Sequence, residues 1–136
     1  MQYWLIKSEP FKWSFAQQLK KGTTHWDGVR NFEAANNLKA MAKDDLCFFY
    51  HSNEGKEIVG TVRVVKTAYP DPSDEAGRFV MVDVKAESAF KTPITLAFIK
   101  AHPVLKDMAL VKRSRLSVTA VTAAHAKLLL KLGGLA

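Results

Sequence analysis

A chain of 136 residues, 48% hydrophobic and 24% charged, has the length and composition of one globular domain with a real core. No apolar run approaches the roughly 20 residues of a membrane span, no basic leader precedes an apolar core, and the single cysteine, Cys47, excludes an intrachain disulfide and a zinc cluster. The net charge of +7 favours a polyanionic partner, nucleic acid first, and its spread over the chain points to a folded basic surface. A cytoplasmic monomer without metal or cofactor is the simplest expectation.

Residues 3–7, Tyr3-Trp4-Leu5-Ile6-Lys7, are aromatic and branched and predict a first strand. Pro10 keeps Glu9 from helical angles, so Ser8-Glu9-Pro10 is a bend. Ser14 and Gln17 form a capping-box pattern ahead of a short helix over 15–21, with Gly22 as its stop. A loop carrying Trp26 follows. Phe32, Ala35, Leu38 and Met41 or Ala42 recur at helical spacing and predict one buried face of a helix over 31–42.

Residues 46–51 are almost continuously apolar, as in a strand buried on both sides. After a turn at 52–55 comes a strand over 58–66, where Gly60 suggests a bulge or a close backbone approach. Two prolines and several acids make 68–77 a surface loop. A strand over 78–86 is broken by Pro93 ahead of a helix over 96–101 capped by Thr95. Residues 102–111 read as irregular, 116–121 as a last strand with Leu116 inward, and Thr122 as the cap of a terminal helix ending near Gly133. Strands with few two-residue hairpins predict an α/β domain of the α+β type. Its sheet is mixed and curled, five to six strands, with helices outside.

The stretch His25-Trp26-Asp27-Gly28-Val29-Arg30-Asn31 gathers an aromatic, an acid, a flexible glycine, an arginine and an amide where a loop enters a helix. Trp26 is either a stacking wall or a core plug. No glycine-rich phosphate loop, H-E-x-x-H or G-x-S-x-G is present. His51 and Ser52 are strand neighbours and point to opposite faces. His25, His102 and His125 lack ligand spacing. Catalysis by Glu9 or His51 on a nucleotide or small ligand is therefore the minority reading. Binding fits better. An unpaired base needs an aromatic wall and polar groups for its edge. Trp26 offers the wall, with Tyr50 or Trp4 as a second. Ser8, Asn31, His51, Ser52 and Asn53 offer donors and acceptors. Arg30, Lys112, Arg113 and Arg115 are candidates for phosphates, while Trp4 and Trp13 read as core.

Several motifs, in order over nearly the whole chain, resemble the EVE domain family. They are Tyr3-Trp4-Leu5-Ile6-Lys7-Ser8-Glu9-Pro10, Trp26-Asp27-Gly28-Val29-Arg30-Asn31, Ala35-Asn36-Asn37-Leu38, Phe48-Phe49-Tyr50-His51-Ser52-Asn53, Ile58-Val59-Gly60, Ala68-Tyr69-Pro70-Asp71-Pro72, Val82-Asp83-Val84 and Arg115-Leu116-Ser117-Val118. The resemblance implies a single PUA-like domain over 1–136, a pseudo-barrel related to YTH domains. It implies a non-catalytic module that takes a modified base, a cytosine or an adenine, of DNA or RNA into an aromatic pocket. The general alternative is an RNA-binding module indifferent to modification. The implied pocket residues are Lys7, Ser8, Glu9, Trp26, Asp27, Gly28, Arg30, Asn31, Tyr50, His51, Ser52, Asn53, Leu116 and Ser117. Two features depart from the family pattern. Glu54-Gly55-Lys56-Glu57 replaces a proline-containing turn, and 73–78 is shorter than the usual insertion.

Overall fold

The computed structural model describes residues 1–135. Six strands form one mixed sheet in the order β2-β5-β4-β3-β1-β6. They are β1 (Tyr3–Ser8), β2 (Thr23–Trp26), β3 (Leu46–His51), β4 (Glu57–Pro70), β5 (Val80–Thr95) and β6 (Val118–Val121). β1 and β3 run parallel, and every other pairing is antiparallel. The helices are α1 (Phe15–Lys21), α2 (Phe32–Ala40), α3 (Leu96–Ala101), α4 (Ala109–Lys112) and α5 (Ala123–Leu132). Among the described residues no helix is long and apolar enough to cross a membrane.

Both faces of the sheet are covered. Trp4, Ile6, Cys47 and Phe49 point to one core with Phe15, Trp26, Leu38 and Met41. Leu5, Leu46, Phe48 and Tyr50 point to the other, against Ile99, Leu105, Met108 and Leu129. The alternation along β1 and β3 divides the two cores, and the apolar run of β3 is the strand both cores need. Trp4 is core as expected, its indole N–H donating to buried Asp45 at 3.0 Å.

Local signals set several ends. Ser14 and Gln17 make the capping box of α1, and Gly22 closes it at φ +82°. Asn31, Thr95 and Thr122 cap α2, α3 and α5. Gly60 is obligatory for space: a Cβ there would lie 2.3 Å from the Phe15 ring and 2.7 Å from the Ser88 carbonyl.

Other expectations need correction. Trp26 ends an edge strand, not a loop, because residues 23–26 pair with β5. Phe32 leaves the buried face of α2. It is 59% exposed and stacks on Phe79, while Ala34, Ala35, Leu38 and Met41 go inward and Ala42 is exposed. Residues 68–70 belong to β4. β5 runs through Pro93, which sits where the ladder skips between Ala89 and Ile94, so its missing N–H costs no rung. The segment 102–111 holds a 3-10 turn at Leu105–Asp107 and the start of α4, and β6 begins only at Val118.

Candidate nucleic-acid interface

The parallel pair β1 and β3 ends on the same side of the sheet. There the Ser52 N–H donates to the Ser8 carbonyl at 2.9 Å, and the Lys7 N–H donates to the Ser117 carbonyl at 3.0 Å. The end of β2 closes the opposite side. Between them lies a cleft of about 800 Å³, within the range of about 300–1,000 Å³ found for small-ligand pockets. Four separate segments reach it: 7–13, 24–31, 52–53 and 114–117.

Two tryptophans line it. Trp26 is 8% exposed and is held edge-on to Phe49, with ring centroids 5.5 Å apart. It is both core and cleft surface, so the alternatives of wall and plug are not exclusive. Trp13 is half-buried against the same core rather than sealed within it. Its indole N–H donates to the buried Gln18 amide at 2.8 Å. The turn before it is tightly held: the Glu9 carbonyl accepts the N–H groups of Lys12 and Trp13, each at 2.9 Å, and the Ser8 hydroxyl donates to the Trp13 carbonyl. Ser8 therefore faces any ligand as an acceptor only.

The loop after Trp26 hangs on Asp71. This carboxylate is 2% exposed. It accepts from the Gly28 N–H at 2.9 Å, from Arg30 Nη1 at 3.1 Å and from the Ser73 N–H and hydroxyl at 2.8 and 2.6 Å. Burial alone would raise its pKa. The Ser73, Gly28 and Arg30 hydrogen bonds outweigh that and hold it at about 2. Gly28 turns the loop at φ +77°, where a side chain would be strained. Arg30 also reaches the Ser73 hydroxyl at 2.8 Å and lies over the Phe79 ring. It is a strut of the cleft wall. His25, which lines the cleft, is held at Nδ1 by Asp83 at 2.8 Å, and Asp83 also accepts from the Tyr69 hydroxyl. Burial and then the Asp83 bond push the Tyr69 phenol up to about 12.

The structure gathers Lys7, Ser8, Glu9, Trp26, Asp27, Gly28, Arg30, Asn31, Ser52, Asn53, Arg115 and Ser117 around the cleft. Tyr50, His51 and Leu116 do not line it. Tyr50 is buried in the opposite core because β3 alternation sends it there. His51 Nε2 accepts the Phe15 N–H at 3.0 Å, and burial lowers its pKa against the opposing charge of Glu57. Leu116 is in the core and faces a smaller depression shared by Asn31, Lys112, Arg113 and Arg115. Arg113 is engaged by Glu33 through both terminal nitrogens, and Lys112 lies 3.8 Å from Asp107. Among the described residues Arg115 has no ion pair, and it borders both depressions. Lys7 is half-buried, donates to the Ser114 carbonyl at 2.8 Å, and has its pKa lowered by burial.

Residues 2–132 match the EVE domain. The chain belongs to the EVE domain family. Thymocyte nuclear protein 1 of Rattus norvegicus is 40% identical over 154 aligned positions, which span 88% of this chain and 68% of that protein. A solution structure of a Rhodopseudomonas palustris protein superposes with a TM-score of 0.94 at 55% identity, covering 99% of this EVE domain and 94% of that chain. The human THYN1 protein, in complex with DNA containing 5-methylcytosine, superposes with a TM-score of 0.90 at 36% identity, covering 98% of each chain.

His25 and Val29, within the stretch 25–31 that the sequence singles out, also line the cleft of this EVE domain, and so do Lys12, Trp13, Thr24 and Ser114, which the sequence reading did not place there. Trp13 and Lys12 had a signal: they follow the Ser-Glu-Pro bend whose other side was already assigned to the site. Asp71 lay in the Ala68-Tyr69-Pro70-Asp71-Pro72 motif, but nothing in that motif tied its carboxylate to Gly28 and Arg30.

Proposed function

We propose that this EVE domain binds nucleic acid and takes a modified base, a methylated cytosine of DNA first, into the cleft between β1, β3 and β2. The observation that carries the reading is the pair Trp13 and Trp26 lining one cleft together with Lys7, Asn31, Ser52, Asn53 and Ser117. Aromatic rings stack a base of any sequence, at about 1–3 kcal/mol each, and polar side chains and backbone groups read its edge. The human relative crystallised with 5-methylcytosine DNA supports the choice of base. A methyl group in a fitted pocket contributes about 1–3 kcal/mol, a preference of about tenfold or more.

A binding panel tests it. Short oligonucleotides carrying cytosine, 5-methylcytosine or N6-methyladenine, as DNA and as RNA, are titrated at fixed salt. The mixtures are then checked by mass spectrometry for unchanged bases. Tighter binding of the 5-methylcytosine DNA supports the reading. Equal affinity for plain and modified strands would leave a general nucleic-acid module instead, and chemical change of the base would make it an enzyme.

A further inference from the structure

Phe11 is 68% exposed. It stands at the tip of the turn 9–13, between Glu9, Lys12 and Trp13, all three of which line the cleft. Lone exposed apolar residues are ordinary, but this one is held in an unusual setting. The turn beneath it is fixed by two hydrogen bonds to the Glu9 carbonyl and one from the Ser8 hydroxyl to the Trp13 carbonyl. Among the described residues Phe11 pairs with no other ring, whereas exposed Phe32 is stacked on Phe79. Its one neighbour of note is the Lys12 ammonium, 5.8 Å from the ring centroid, and Lys12 is itself 3.6 Å from Glu9. The result is a rigid aromatic tip beside a basic group on the rim of the cleft.

We propose that Phe11 is a wedge that enters a double helix beside the base drawn into the cleft. The inference rests on the modified-base reading above. A base paired inside a duplex cannot reach Trp26, which is nine-tenths covered by the protein, so it must rotate out of the stack. The rotation leaves a gap and an orphaned partner base. Apolar side chains, phenylalanine among them, fill such gaps between base steps. Phe11 is two residues from Trp13, so their Cα atoms lie within about 7 Å. A nucleotide turned onto Trp13 stays tied to its own strand, so the step it vacates lies beside the mouth of the cleft, where Phe11 stands exposed. The wedge works only on duplex, because a single strand has no stack to hold open.

Full-length parent, Phe11→Ala and Phe11→Leu are titrated with one 5-methylcytosine oligonucleotide, both single-stranded and annealed to its complement. The duplex keeps guanine opposite the modified base, and a fluorescent 2-aminopurine, paired with thymine, takes the adjacent step. Phe11→Ala should bind the single strand within about twofold of the parent and the duplex about five- to a hundredfold more weakly, the factor a lost aromatic stack produces. Phe11→Leu should recover most of the duplex affinity, since leucine also serves as a wedge. The 2-aminopurine signal should report the stacking beside the vacated position differently in parent and Phe11→Ala. Unchanged duplex binding by Phe11→Ala overturns the wedge, as does an equal loss on both forms. A parent that prefers 5-methylcytosine in the single strand but fails on duplex also overturns it and leaves the modified-base reading intact. A parent with no preference in either form overturns both.

Discussion

Neutralising Asp71 should loosen one wall of the cleft by an amount fixed by its titration. In the fold its carboxyl titrates at about 2, against an ordinary value of 3.8. A depressed folded pKa means the unfolded chain takes up the proton first as pH falls. The stabilisation is therefore complete above about pH 5 and is lost progressively down to pH 2. Its size is about 2 kcal/mol. Asp71→Asn removes the charge while keeping the shape, so at pH 7 it should forfeit a similar amount. The charge-assisted bonds to Arg30 and to the Gly28 N–H weaken together. Urea unfolding of parent and variant at pH 7, 5, 4, 3 and 2.5 measures both quantities. The two stability curves should be separated by about 2 kcal/mol at pH 7 and converge toward pH 2. A variant as stable as the parent at pH 7, or curves that stay parallel to pH 2, would refute the assignment of Asp71 as the clamp of the 28–30 loop.

Gly60→Ala should lower stability by about 1–3 kcal/mol in thermal or urea unfolding, because the new Cβ meets the Phe15 ring and the Ser88 carbonyl. An unchanged midpoint would mean the helix α1 packs farther from the sheet. Nucleic-acid affinity should fall with salt, and Arg115→Ala should flatten the log–log slope by about 0.7 on single strands. Arg113→Ala should change that slope less, its charge being already held by Glu33. Equal effects of the two would place both on phosphates. Trp26→Ala should cost about 3–5 kcal/mol of folding stability as well as affinity, whereas Trp13→Ala, half-buried, should lose affinity at a smaller cost in melting temperature. The reverse order would exchange their roles.

Most of the frame was legible because it follows from local rules. Capping residues mark the starts of α1, α3 and α5, and the apolar run of β3 announces a strand between two cores. What escaped depends on distant partners. β2 is a four-residue edge strand whose identity rests on pairing with β5, and Thr-Thr-His-Trp shows no alternation to betray it. Phe32 has helical spacing, yet its ring finds Phe79 across the surface. Pro93 reads as a breaker, but the ladder is irregular where it sits. The cleft was half legible. The bend at Ser8, the Trp26 loop and the Ser52-Asn53 turn do converge. Tyr50 went the other way through strict strand alternation. Trp13, read as core, stands in the wall because the hydrogen-bonded turn from Glu9 carries it past the end of β1 to the cleft.

A modified base seated against Trp13 and Trp26 would be sensed by the chain's three tryptophans. Trp4 is an internal control, its indole N–H locked on Asp45. Uniformly 15N-labelled protein is titrated with a short single strand carrying one 5-methylcytosine, and with the same strand carrying cytosine, while the three indole N–H resonances are followed. The Trp13 and Trp26 signals should move and saturate at lower concentration with the methylated strand, while Trp4 stays in place. Still Trp13 and Trp26 signals under saturating ligand, or identical titrations with both strands, would contradict a modified base seated there.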